Sequence, residues 1–349
     1  MTRRIINKVP SLPILIILVG VIIATLMSAV GPHYFPALTE QIEAVTVEPR
    51  FDQSPYYVGT LDLGGKGADK IPGQILLDDT RLLISYKNSG QIDVYDERFK
   101  KVRTIDLESN HPLSIDAISA SESKLFISDL EIGEIRNYDM QGTLLSAWTW
   151  LPDQNTRMTP LGIKFHQGIL YATDTRLKEL LAISVEDITG VKETGELLYA
   201  KPLVSKLKND GIPRDLAVTP DGRIMIADSE LGEINVYTCM GDHYYRFSTA
   251  SGPSKMLAPN SLAFDDIQSP DLLALADSIF DPSMVLYQGR VHVTDARTGR
   301  VKIFDNQGKY VLTYGQELGV PEDIAINTEK RLILISDSEK RNVAIYKYG

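Results

Sequence analysis

The chain has 349 residues, with 36 basic and 46 acidic side chains, a formal charge of −10, and a single cysteine. An acidic balance of this size excludes nucleic-acid binding through a basic footprint, which needs clustered Lys and Arg. The lone Cys239 excludes an intramolecular disulfide, and the lack of a Cys-x-x-Cys-His segment excludes covalently attached haem.

The first element in chain order is apolar. Residues 12–30 (LPILIILVGVIIATLMSAV) carry no charge, and 19 residues at the helical rise suffice to cross a bilayer. Ser11 caps the start, Pro13 is tolerated in the first turn, and Gly31-Pro32 stops the helix. The segment therefore predicts an uncleaved transmembrane anchor over 11–31, between a short tail, 1–10, and a linker, 32–54; the rival reading is a cleaved signal peptide, whose apolar region usually runs about 7–15 residues and whose cleavage signal at Ser28-Ala29 is poor. Arg3, Arg4 and Lys8 precede the run, whereas 32–49 holds no Lys or Arg. The positive-inside rule then keeps the N-terminus cytoplasmic and puts the remainder in the periplasm or outside the cell, as a single-pass membrane protein. No cysteine lies near the segment, which excludes a lipoprotein anchor.

After the linker, six stretches share one ten-residue register: 86–95 (YKNSGQIDVY), 129–138 (DLEIGEIRNY), 174–183 (DTRLKELLAI), 228–237 (DSELGEINVY), 295–304 (DARTGRVKIF) and 337–346 (DSEKRNVAIY). All but the first open with Asp, and a proline precedes each: Pro72, Pro112, Pro160, Pro213, Pro259 and Pro321. Repeats spaced by roughly 40–50 residues mean a radial or solenoid architecture, since one unit cannot bury its apolar faces alone. The fourth unit shows the content. Strand-like segments 215–218 (DLAV), 223–227 (RIMIA), 233–237 (EINVY) and 243–247 (HYYRF) are separated by Pro, Asp and Gly turns. Four short strands in series make a meander, and their alternation predicts half-buried strands. Six meanders around an axis give an all-β, six-bladed β-propeller over 55–349.

The same residues carry a family resemblance. Segments 212–228 (IPRDLAVTPDGRIMIAD) and 320–337 (VPEDIAINTEKRLILISD) resemble the NHL repeat. That resemblance implies the propeller fold and little about activity, because such propellers serve as enzymes, sensors and scaffolds. The sixth repeat ends after its third strand, while 56–63 (YYVGTLDL) has the character of the outer strands 101–107, 143–148 and 309–314. The N-terminal strand is therefore expected to complete the last blade and close the ring, leaving no open edge.

Candidate chemistry falls into three groups. Asp129, Asp174, Asp228, Asp295 and Asp337 each close a strand before a tight turn, where a carboxylate accepts turn N–H groups, a structural role. The five histidines scatter, with His33 in the linker, His111 at the rim, His166 on an inner strand, His243 near a turn and His292 on a second strand, so the zinc site of the amidating lyase that resembles this repeat family is not expected. The third group lies just after each proline, where inner strands converge on a funnel: Gly73-Gln74, Leu113-Ser114, Leu161-Gly162, Arg214-Asp215, Asn260-Ser261 and Glu322-Asp323. Arg214, Asp215, Asn260, Glu322 and Asp323, with His111 at the rim, form the candidate ligand site.

Segment 258–264 (APNSLAF) resembles the Pro-Asn-Gly segment of gluconolactonase-like and strictosidine-synthase-like propellers, whose Asn ligates a divalent metal. The resemblance implies Ca²⁺ or Mg²⁺ at Asn260, with Asp215 and Glu322 as further oxygen ligands. Ser261 in place of Gly, and the lack of a Glu-Gly-Pro segment, depart from that family pattern.

Two irregularities mark partner surfaces: the loop 149–159 (TWLPDQNTRMT), with Trp150 and Met158, and the insertion 265–288, whose 271–280 (DLLALADSIF) has one apolar helical stripe. The expected function is a membrane-anchored, exported scaffold or binding module that engages a protein or peptide. The alternatives are a divalent-metal-dependent hydrolase or lactonase acting in the funnel, and a ligand-sensing ectodomain served by a separate effector subunit.

Overall fold

A computed structural model describes residues 54–348 apart from 62, 64–69, 78–79, 112, 122, 150–157, 186–195, 200–201, 209–210, 249–251, 253–254 and 267–288. The chain divides into two units, Met1–Arg50 and Phe51–Gly349. The apolar run 12–30, Trp150 and the stripe 271–280 lie outside the described residues. Among the described residues no helix is long and apolar enough to cross a membrane.

The described part of the second unit is all-β, a six-bladed propeller. Blade one comprises β2 (Pro72–Leu77), β3 (Arg81–Tyr86), β4 (Gln91–Asp96) and β5 (Lys101–Asp106); blade two begins with β6 (Ile115–Ala120), β7 (Lys124–Asp129), β8 (Glu134–Asp139) and β9 (Leu144–Thr149). Blade three holds β10 (Pro160–His166), β11 (Ile169–Asp174), β12 (Glu179–Ser184) and the short β14 (Pro202–Val204). Blade four is β15 (Pro213–Val218), β16 (Ile224–Asp228), β17 (Glu233–Tyr237) and β18 (His243–Phe247). Blade five is β19 (Pro259–Asp266), β20 (Gly289–Asp295), β21 (Arg300–Asp305) and β22 (Tyr310–Tyr314). Blade six runs β23 (Pro321–Asn327), β24 (Leu332–Asp337), β25 (Asn342–Lys347) and, outermost, β1 (Tyr56–Leu61).

Strand β1 is antiparallel to β25, with Tyr56 opposite Lys347 and Leu61 opposite Val343. Because β25 and β23 run the same way, Tyr56 lies at the end of the blade away from Pro321. The first strands pack on one another in sequence round the ring, β23 meeting β2.

Six buried clusters fill the six gaps between blades. Blades one and two share Leu83, Ile92, Ile118 and Ile127; blades six and one share Leu82, Ile84, Ala325 and Leu334. The remaining gaps are filled in the same way. Leu82 and Leu83 therefore serve opposite neighbours, as the period of two along a strand requires. This corrects the expectation of half-buried strands. Every residue of β16, β20 and β24 is buried, because a second strand is covered on both faces by flanking blades.

Blade two carries an unanticipated fifth strand. β13 (Glu196–Tyr199) pairs parallel with β9, placing residues between the third and fourth strands of blade three on the outer edge of its neighbour. The chain then returns to blade three, where β14 covers only Leu180 and Leu181 of β12.

Candidate functional site

Register sets where each candidate side chain sits. In five blades the first strand starts at a proline paired with the last residue of the second strand: Pro72 with Tyr86, Pro160 with Asp174, Pro213 with Asp228, Pro259 with Asp295 and Pro321 with Asp337. A bulge follows at once, so the next two residues are re-aimed as a pair. Blade two differs: Asp129 pairs with Ile115, not with Pro112, which lies outside the described residues. The residue standing where Arg214, Asn260 and Glu322 stand is therefore Asp116, and not Leu113 or Ser114.

The repeated aspartates bond in two directions. Asp228 Oδ1 accepts the turn N–H groups of Glu230 and Leu231, and that of Ile212, immediately before the first strand (3.1, 2.9 and 3.0 Å). Asp337 takes the N–H groups of Lys340, Val320 and Gly319; Asp295 takes those of Thr298, Ala258 and Leu257. Asp174 holds the N–H groups of Arg176, Leu177 and Thr159. Asp129 accepts the Glu131 N–H, while its Oδ2 is buried without a hydrogen-bond partner, consistent with the shifted lead-in of blade two. Burial pushes the Asp129 carboxyl upward.

Tyr86 replaces Asp in blade one with a different device. Its hydroxyl donates to Asp93 (2.8 Å), whose buried carboxylate also takes Lys101 (2.6 Å), Lys70 (3.1 Å) and Thr104 (2.7 Å). Burial alone would raise Asp93, but these four donors outweigh it and hold the carboxyl below the usual range.

The funnel candidates fall into two groups. Ser261 stands between Asp215 and Asp323, with its Oγ 2.6 Å from Asp215 Oδ2 and 2.6 Å from Asp323 Oδ1. Asp215 also accepts the Leu262 N–H (3.2 Å), and Asp323 accepts those of Ile75 (2.7 Å) and Ile324 (2.8 Å). Three blades are thus tied to one another, and blade six to blade one. Burial, then the charge of Asp215, pushes the Asp323 carboxyl up to about 7; burial likewise raises Asp215.

The second group is Asn260, Glu322 and Lys87. Asn260 Nδ2 donates to the Glu322 carbonyl (2.6 Å), and the Glu322 carboxylate takes Lys87 Nζ and Ser338 Oγ, each at 2.6 Å. Sequence reasoning missed Lys87, Ser261 and Asp116. Ser261 was in plain sight as the departure from Pro-Asn-Gly, and Lys87 directly follows the odd Tyr86 of the register.

The metal expectation meets a different arrangement. Asp215 is turned to Ser261, not to Asn260 or Glu322, and the Glu322 carboxylate is occupied by an ammonium. Among the described residues no three His, Cys, Asp or Glu side chains gather as a metal-ligand set. His111 Nε2 is 2.7 Å from Arg136 Nη2, beside the Arg136–Glu134 ion pair. Met158 is fully buried between blades two and three, so it is packing and not partner surface. The Arg214 guanidinium makes no hydrogen bond or ion pair with a described residue, while its carbonyl accepts from Thr173.

Ring, register and funnel define a six-bladed β-propeller. The structure is similar to that of streptogramin B lyase (TM-score 0.57, 11% identity, 84% of this chain and 98% of that one). It is also similar to virginiamycin B lyase from Staphylococcus aureus (0.54, 13%, 84% and 99%), and to a protein of unknown function from Bacteroides thetaiotaomicron (0.58, 13%, 85% and 72%). Identities this low show the shared fold alone. No family model matches the chain, and no curated protein matches it in sequence.

Proposed function

We propose that the chain is an NHL-type propeller acting as a binding or scaffold module, exported and held at the membrane by residues 12–30, and that its funnel mouth receives an anionic group of a protein or peptide partner. The observation that carries this reading is the pairing of the funnel candidates. Asp215 and Asp323 are spent on Ser261, Glu322 on Lys87, Ser338 and Asn260, leaving Arg214 as the candidate whose guanidinium has no hydrogen bond or ion pair among the described residues. A guanidinium in that position suits a carboxylate, which it can engage with two parallel hydrogen bonds. Tyr56 lies at the end of its blade away from Pro321, where the funnel candidates of that blade begin.

The test is affinity recovery of the full-length chain from detergent-solubilised membranes, comparing wild type with Arg214→Glu. The wild type is expected to enrich a partner that the variant loses at least tenfold at unchanged melting temperature. A partner set that is equal in the two preparations overturns the assignment of Arg214. Recovery of the chain from the soluble fraction overturns the anchor.

A further inference from the structure

We propose that Lys70 and Lys101 form an oxyanion site at the margin of the gap between blades six and one. Its ligand is a tetrahedral anion of the phosphate or sulfate kind, taken as the free ion or as the end group of a larger molecule. The inference goes beyond the funnel and stands whatever Arg214 receives. It starts from the lone pairs of Asp93, whose side chain is fully buried. Oδ1 accepts from Lys101 Nζ (2.6 Å) and Thr104 Oγ1 (2.7 Å), and Oδ2 from Lys70 Nζ (3.1 Å) and the Tyr86 hydroxyl (2.8 Å). Four donors fill the four acceptor positions of a carboxylate. One lysine would balance its charge. With two, a positive charge is left over.

Blade five shows what a purely structural pair looks like. There Asp295 takes a single lysine, Lys302, whose side chain is hidden at 3% exposure. Lys70 and Lys101 are instead 34% and 41% exposed, above a carboxylate that is not exposed at all. Among the described residues neither ammonium forms a second ion pair. Across the gap, blade six contributes Leu61, Val343 and Ile345, which carry no charge to take up the excess. Each ammonium has three hydrogens and gives one to Asp93, so solvent serves the others on the open side.

The two cations are also held in place before any ligand arrives. Lys70 Nζ lies 4.7 Å from the centre of the Tyr86 ring, and both lysines are pinned by opposite oxygens of one carboxylate. They are therefore close enough for one oxyanion to accept from both, and little rotamer freedom remains to be lost on binding. A lysine ammonium is a compact point charge, which suits phosphate-type oxygens spread in three dimensions; a flat carboxylate is better matched by the guanidinium fork. In a chain of formal charge −10 the surface at large repels such an ion, so its uptake calls for a local excess of this sort.

The experiment is a thermal melt of the full chain in detergent, titrated with inorganic phosphate against chloride at equal ionic strength and fixed pH. Wild type is compared with Lys70→Met, Lys101→Met and a control at the exposed neighbour, Lys100→Met. Phosphate is expected to raise the melting temperature of wild type and control, saturably, by about 2–4 °C at tenfold excess over its Kd. The other two variants should lose most of that rise. A second arm uses phenyl phosphate: a response at least as large assigns the site to an end group, and a response to inorganic phosphate alone assigns it to the free ion. An equal rise in all four proteins is a salt effect and overturns the proposal. So does a rise that Arg214→Glu abolishes, which would put the ion in the funnel. If a methionine variant fails to fold, the Nζ signals of Lys70 and Lys101 in ¹⁵N-lysine-labelled wild type decide; signals that stay put as phosphate is added overturn the proposal.

Discussion

Asp228 shows how one side chain can organise both ends of a blade. Its Oδ1 gathers N–H groups from the turn ahead and from Ile212 behind, so it holds the β16–β17 turn against the entry to β15. Asp228→Ala strands these donors, and a loss of about 2 kcal/mol is expected from denaturant titration. Asp93 ties stability to pH. Its folded value is depressed, so the stability it contributes is present above about pH 4 and lost as pH falls through the folded value. Asp93→Asn should cost roughly 1–3 kcal/mol at neutral pH. The gap to wild type should close in acid, as measured by parallel denaturant titrations at pH 7 and pH 3.

At the scale of elements, β1 bears more than an ordinary terminal strand. It completes blade six along β25, and the edge of Tyr57 meets Tyr346 at 5.7 Å. Removing residues 56–63 exposes the β25 edge and takes away Leu63, which is buried between blades six and one. A loss of several kcal/mol is expected, a large share of a typical total of about 5–15; a truncated chain that melts like the intact one would refute this. Gly162 offers a subtler probe. A Cβ there would stand 2.6 Å from the Asp215 Cα, so Gly162→Ala should force blades three and four apart at a cost of about 1–3 kcal/mol, read from the melting temperature. The blade count was legible because five of the six units repeat the same physical need, a carboxylate acceptor at the end of the second strand, and the first keeps the register with Tyr86. The register of blade two was not, because Pro112 imitates a strand start while Ile115 occupies that place. Nor was the crossing of β13, since outer edges choose partners by proximity in space and not by any residue pattern. The funnel candidates were found by position, but their pairing depended on Ser261 and Lys87, whose reach across blades no spacing in the sequence encodes.

For the whole molecule, the ring makes every blade an interior layer, and the two ends of the ring meet in blade six. That arrangement fixes when the molecule can become complete. Strand β1 is among the first parts of the propeller to leave the ribosome, and β25 is the last of its described strands to be made. Across all of synthesis, at roughly 5–20 residues per second, β1 has no mate and exposes Tyr56 and Val58, which remain half-exposed even in the finished ring. The nascent propeller thus carries an unsatisfied strand until its last described strand is made, and closure is a single late event spanning nearly the full length of the domain.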